Sequence, residues 1–206
     1  MEIILDFLEK YPDMFSTRKQ KCKPDPTIEE GRTKIKQIMI EAKNKKLRLK
    51  EVKTVPDPMV FFILNKHNDV DISRKREVEK LHQQAMGAED VIGELLERYI
   101  DQEAKSIGSG WVRCYGDVVK AVDFIKKDGK NFLLLQIKNR DTTENSSSSK
   151  IRKFIKDKQN VDINKWFRTF ARTGKTNWDA FPDATLRNNL SEKKFEIFIS
   201  QWIKEL

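Results

Sequence analysis

Apolar residues fall at helical spacing in the first half of the chain and at strand spacing in the middle. Ile3, Ile4, Phe7 and Leu8 line one side of residues 1–10 and predict a short amphipathic helix, closed by Pro12. Lys19 to Pro26 reads as a basic, proline-containing connector. Thr27-Ile-Glu-Glu30 has the spacing of a capping box, so a helix is predicted from there to about Lys46, with Ile35, Ile38, Met39 and Ala42 on its inner face. Pro56-Asp57-Pro58 interrupts the chain, and the apolar run Met59–Leu64 fits helix or strand equally well. A further helix is predicted from about Asp71 to about Lys105, with a break near Gly87. Its buried stripe is Val91, Ile92, Leu95, Leu96, Tyr99 and Ile100, and Gly108-Ser-Gly110 ends it.

The β part follows, first Trp111 to Tyr115 and then a hairpin over residues 119–140. Asp128-Gly129 between two β-rich runs is a strong hairpin signal, and with these two as the loop, Lys127 pairs with Lys130 and Asp123 falls opposite Leu134. Phe132-Leu-Leu-Leu-Gln-Ile reads as a central strand. Asn139 to Ser149 is polar and reads as a flexible or a nucleic-acid-contacting loop. Residues 150–172 carry basic helical patterns and a Trp/Phe-bearing segment, and residues 173–189 read as irregular. Asn189 is placed to cap a last helix with Phe195, Phe198, Ile199, Trp202 and Ile203 on its apolar face. The order of elements predicts an α+β (mixed α/β) fold. Residues 1–80 are expected to form a helical portion continuous with a core at 81–206.

Side chains alternate faces along a strand, so Asp123, Gln136 and Lys138 share one side of this hairpin. Ala121, expected opposite Gln136, is small and leaves room there. A carboxylate, an amide oxygen and an ammonium on an otherwise apolar surface suit a hard cation beside a phosphate. Asp123 and Gln136 are the candidate ligands, with the carbonyl of Ile137 as a third, and Lys138 is placed to orient a water or to stabilise a phosphorane. The plainer alternative is an edge strand whose polar residues are only solvated, but a polar group in a central strand needs a reason.

Net charge sharpens this. The 206 residues carry 41 Lys and Arg against 32 Asp and Glu, a formal charge of +9, which favours a polyanionic partner. Residues 138–158 hold seven basic side chains against three acidic ones, interleaved with Ser, Thr and Asn that contact phosphates. Two distant cysteines, Cys22 and Cys114, give neither a disulfide framework nor a zinc pattern. No signal peptide or membrane span is read, so a reducing cytoplasmic location is expected. His67 and His82 are isolated, and Pro56-Asp57 and Pro182-Asp183 are not followed by an acid-or-amide-x-Lys strand.

Val122-Asp123 and Gln136-Ile-Lys138 resemble the PD-(D/E)xK nuclease superfamily, with Val in place of Pro and Gln in place of the second acid. Gln carries no charge, so weaker metal binding than with Glu is implied. The superfamily's helix acid maps best onto Glu89, with Glu94 as runner-up and Glu97 also open. Lys138-Asn-Arg140, Asn145-Ser-Ser-Ser-Ser149 with Arg152, Trp166-Phe-Arg168 and Thr176-Asn-Trp178 are similar to the SinI-like subgroup of type II restriction endonucleases, over roughly residues 87–180. The resemblance implies a restriction-endonuclease-like central mixed sheet flanked by helices. It implies a Mg2+-dependent, sequence-specific endonuclease of double-stranded DNA, a GC-rich palindromic target with a central A/T pair, and a homodimer. A cognate DNA methyltransferase is expected in the same system, though not as a binding partner. The DNA-reading segment is about 139–180, with candidates Asn139, Arg140, Asn145, Ser146, Ser147, Ser148, Ser149, Lys150, Arg152, Arg168, Arg172, Lys175 and Asn177. A structure-selective repair or junction nuclease, and a non-catalytic basic nucleic-acid-binding protein, remain as alternatives.

Overall fold

The computed structural model describes residues 1–16, 24–49, 58–68, 72–142, 146–159 and 161–206. They fall into two compact units, one of residues 1–46 with 95–206 and one of residues 47–94. The second unit holds α3 (Pro58–Asn68), so the undecided run at 59–64 is helical, and the first part of α4 (Lys75–Ser106). The helix α4 runs unbroken through Gly87, because neighbouring turns carry good helix formers and one glycine costs only about 1 kcal/mol. Asp71, where that helix was expected to begin, lies outside the described residues, as do Cys22 and Pro56-Asp57.

The larger unit opens with α1 (Glu2–Lys10), which buries Ile4, Leu5, Phe7 and Leu8. The helix α2 (Glu29–Asn44) follows, with Ile35 and Met39 fully buried one turn apart. Arg32 of α2 bridges Glu2, Asp6 and Glu9 of α1. The expected capping box does not form. Ile28 is the N-cap and makes no side-chain cap, while Thr27 gives its N–H and hydroxyl to Asp25, whose shorter reach closes a local turn first. Gly31 is obligatory, since a Cβ there would stand 1.6 Å from the Asp25 carbonyl oxygen.

Four strands follow in spatial order: β1 (Val112–Arg113), β2 (Phe124–Asp128), β3 (Asn131–Arg140) and β4 (Ile163–Thr169). The first two pairings are antiparallel and β3–β4 is parallel, joined by the crossover helix α5 (Ser146–Gln159). The polar stretch at 146–149 is thus the first turn of a helix and not a loop, and the Trp/Phe segment after it supplies a strand that the sequence reading left unassigned. A parallel neighbour needs such a crossover, and Ile155 of α5 is buried in the core it covers.

The hairpin register differs from expectation by two residues. Asp128 pairs with Asn131 and Ile125 with Leu134, so the loop residues are Gly129 and Lys130. Only Gly129 has positive φ (59°), the pattern of a type II′ turn with glycine at its first central position. The expected loop would have placed Asp128 at positive φ as well, a costlier choice. A two-residue slip preserves parity, so every side chain keeps its face.

One face of the sheet presents Ile125, Leu134 and Ile163 to a core with α1, α2 and α5. The other presents Leu135 and Trp166. Trp166 packs on Trp178 and Phe181, while Tyr99 of α4 packs on Trp178 and on Phe195 of α7 (Glu192–Lys204). The N-cap of α7 is Ser191 rather than Asn189; its hydroxyl accepts from the Lys194 N–H. The α+β architecture read from the sequence, a mixed sheet with helices about it, is the one observed.

Candidate active site

Asp123 does not lie in β2 but at the bend just before it. Upstream, the chain is pinned by Ser16 N–H to Val118 C=O and Lys120 N–H to Met14 C=O, both 2.9 Å. Ala121 then turns with φ 56°, outside any strand, and so is not the small cross-strand neighbour of Gln136 that the sequence suggested. Asp123 donates its N–H to Leu135 C=O at 2.9 Å, while its own carbonyl accepts from Cys114 N–H at 2.8 Å. Leu135 is already the register partner of Phe124, so two successive residues address one. This bulge-like irregularity re-aims the Asp123 carboxylate along the sheet.

That carboxylate accepts the Ile137 N–H at 2.6 Å. In an extended strand the N–H and C=O of one residue point the same way, so the Ile137 carbonyl also faces the Asp123 side. Burial pushes the Asp123 carboxyl up to about 6, against the opposing pull of the Ile137 N–H and the Lys138 ammonium; Asp117 adds to the rise and Arg113 resists it. Lys138 is close enough for its charge to be felt at Asp123, and it shares a sheet face with Gln136. The site is therefore short of positive charge at Asp123, the condition a cation relieves.

Gln136 is 3% exposed, and its amide oxygen accepts a hydrogen bond from an Arg152 Nη of α5. Lys165 is its register partner on β4. Burial, then the Arg152 charge, hold Lys165 below the usual lysine range, with Asp141 opposing.

The expected helix acids lie upstream on α4, in the unit of residues 47–94, with Glu89 exposed and Glu94 half-buried. Glu97, in the larger unit, takes two hydrogen bonds from Arg113, from Nε at 3.1 Å and from Nη2 at 2.8 Å. The charges of Asp123 and Glu97 both raise the thiol of Cys114, which burial has already raised well above its usual value. Glu97 is thus linked to the Asp123 end of the sheet through Arg113 of β1, whose charge is felt at Asp123, a link that helix periodicity alone did not single out.

The residues suggested to contact DNA are spread over several elements. Arg140 ends β3 exposed, and Ser149 and Lys150 are exposed on α5. Ser146, Ser147 and Ser148 lie in the first turn of α5, their side chains outside those described, and Asn145 lies outside the described residues. Arg172 and Lys175 are exposed on a tight turn that returns to pair Thr176 with Thr169. Asn177 is tied inward, giving its amide to Phe167 C=O at 3.1 Å and accepting the Trp166 indole N–H at 3.0 Å. Asn139 accepts from Arg168 Nε at 2.9 Å, and Arg168 also pairs with Glu192 and lies 5.4 Å from the Phe195 ring centre. Glu192 accepts the Trp178 indole N–H too. Glu192→Ala is therefore expected to destabilise the fold by about 1–3 kcal/mol, discounted for its partial exposure. The shift of the urea midpoint measures it. Asp183, of the second Pro-Asp dipeptide, caps the short α6 (Ala184–Arg187) and binds Trp111 and Lys126.

A mixed four-stranded sheet flanked by helices, with further helices at the N-terminus, is consistent with a restriction-endonuclease-like fold. A family model described as SinI restriction endonuclease matches residues 1–205, and the chain belongs to that family. It is 35% identical over 212 residues to the type II restriction enzyme SinI of Salmonella infantis, covering all of this chain and 86% of that one. It is 44% identical over 155 residues to the type II restriction enzyme Eco47I of Escherichia coli, covering 74% of this chain and 64% of that one. The family's class is type II site-specific deoxyribonuclease, which acts on phosphodiester bonds of double-stranded DNA and depends on a divalent metal. Among the described residues no helix is long and apolar enough to cross a membrane.

The residues at Asp123 fit a hard divalent ion. Its second carboxylate oxygen accepts no hydrogen bond among the described residues, the Ile137 carbonyl faces the same side, and both are oxygen donors. Among the described residues no cluster of three His, Cys, Asp or Glu could hold a metal, so an ion at Asp123 would take the rest of its shell from phosphate and water.

Proposed function

We propose that this protein is a Mg2+-dependent type II restriction endonuclease whose cleavage centre is Asp123, Gln136, Ile137 and Lys138. The observation that carries this reading is the half-buried Asp123 carboxylate, aimed at the Ile137 amide and within the field of Lys138. Magnesium, when bound, would supply charge neutralisation at the scissile phosphate. Asp123 and the Ile137 carbonyl would hold it on the protein side, with Gln136 as a further oxygen donor. Lys138 orients the water, whose oxygen bonds to phosphorus as the P–O3′ bond breaks. The products carry 5′-phosphate and 3′-hydroxyl ends. Of the candidate acids on α4, Glu97 lies in the unit that holds Asp123 and pairs with Arg113, while Glu89 and Glu94 belong to the other unit. Residues 139–180 read the target, Arg140, Lys150, Arg172 and Lys175 from exposed positions. A palindromic site is met by a homodimer, because a two-fold target matches a two-fold protein. The enzyme works in the cytoplasm, where its methyltransferase protects host DNA.

Phage DNA incubated with the protein, with and without magnesium, tests this. Discrete fragments with one repeated end sequence are expected only with the metal. A smear or uncut DNA would refute the site-specific reading. Gln136→Glu is expected to tighten cation binding about tenfold or more in the DNA complex, since it adds a charge at close range. A calorimetric titration measures it.

A further inference from the structure

We propose that Arg152 is a phosphate-binding residue stored on Gln136 in the DNA-free protein, so that DNA uncovers the cation site by drawing the guanidinium away. The inference rests on the reading of Gln136 as a cation ligand and adds a step before it. Gln136 is 3% exposed, and its oxygen carries a guanidinium proton. An amide oxygen in that state offers a dication neither access nor a tolerable field, because a cation already stands within hydrogen-bond range. For Gln136 to serve the metal, Arg152 must leave.

The surroundings favour departure when an anion arrives. Lys165 stands beside Gln136 across the β3–β4 register. The Arg152 charge pushes the Lys165 ammonium downward, second only to burial, with Asp141 opposing. Two cations thus lie within reach of each other's charge on the Gln136 side of the sheet. A phosphate offers the guanidinium two charge-assisted hydrogen bonds, where Gln136 offers it a neutral acceptor. The same helix, α5, carries exposed Lys150, Lys153 and Lys156, so a backbone drawn to that face passes near Arg152. Cation and DNA then bind cooperatively, and by linkage each strengthens the other equally.

Calorimetric titration of calcium, as the probe cation, into the full-length protein alone and into its mixture with a phage DNA fragment tests this. Wild type is expected to bind calcium about tenfold more weakly without DNA than with it. Arg152→Met keeps the aliphatic stem and removes the charge. It is expected to bind calcium about tenfold more tightly than wild type in the absence of DNA. The slope of log affinity for DNA against log salt should fall by about one. Arg152→Lys keeps a charge and should retain the weak DNA-free calcium binding. Unchanged DNA-free calcium binding in Arg152→Met, or a lysine variant that behaves like the methionine one, overturns the role of Arg152 and leaves the cleavage centre standing. Absence of calcium binding by wild type and variants even with DNA overturns both.

Discussion

Replacing Lys138 with alanine is expected to slow DNA cleavage by about 10²–10⁴-fold, the range a positioned proton-transfer or water-orienting group supplies. Lys138 is half-buried near the end of β3, on the face it shares with Gln136, and its charge lowers the Asp123 carboxyl toward its usual range. Two consequences separate this role from a general basic surface. DNA affinity at fixed salt should change little, since one phosphate contact among many is lost at most. The acid limb of the pH–rate profile should move to higher pH, because without the Lys138 ammonium the Asp123 carboxyl rises further. Single-turnover rates on excess enzyme across pH measure both. A rate equal to wild type would remove Lys138, and with it the proposed centre, from the chemistry.

That Gln136 and Lys138 share a face is visible in the sequence because strand parity survives a register error. Asp128-Gly129 marked the hairpin, and a two-residue slip left Gln136 and Lys138 on the face already assigned to them. What alternation could not show is that Asp123 lies outside the ladder. Its N–H and C=O turn to opposite neighbours, and only the fixed positions of Met14, Val118 and Cys114 require that bend. The Ser-rich stretch misled for a related reason. Serines avoid helix interiors but suit first turns, and the need to cross from β3 to a parallel β4 decided the matter. Arg168 and Asn177 carried the same polarity signal as Arg140 and Lys175. Only packing shows that the first pair is tied into the protein while the second is exposed. Glu97 is one of several helix acids by pattern, and its pairing with the nearly buried Arg113 is a tertiary fact.

Asp123→Asn is expected to abolish cleavage and at the same time stabilise the metal-free protein above about pH 6. Asparagine keeps an oxygen for the Ile137 N–H and removes the charge that burial disfavours. The folded protein holds the Asp123 proton up to about pH 6, while an unfolded chain releases it near 3.8. Between those values the folded state binds more protons, so wild-type stability falls as pH rises through the window. The asparagine variant lacks that loss. Its advantage should be absent at pH 4, grow through pH 5–6, and level off at about 1–3 kcal/mol, allowing for solvent screening of a half-buried side chain. Magnesium should reverse the order. By mass action it stabilises the form that binds it, so wild type should gain melting temperature with added metal and the variant should not. Thermal unfolding at several pH values, with and without magnesium, reads all of this. A variant no more stable than wild type at pH 8 would show that the Asp123 charge is well compensated without a cation, and the strongest physical reason for placing a metal beside it would be gone.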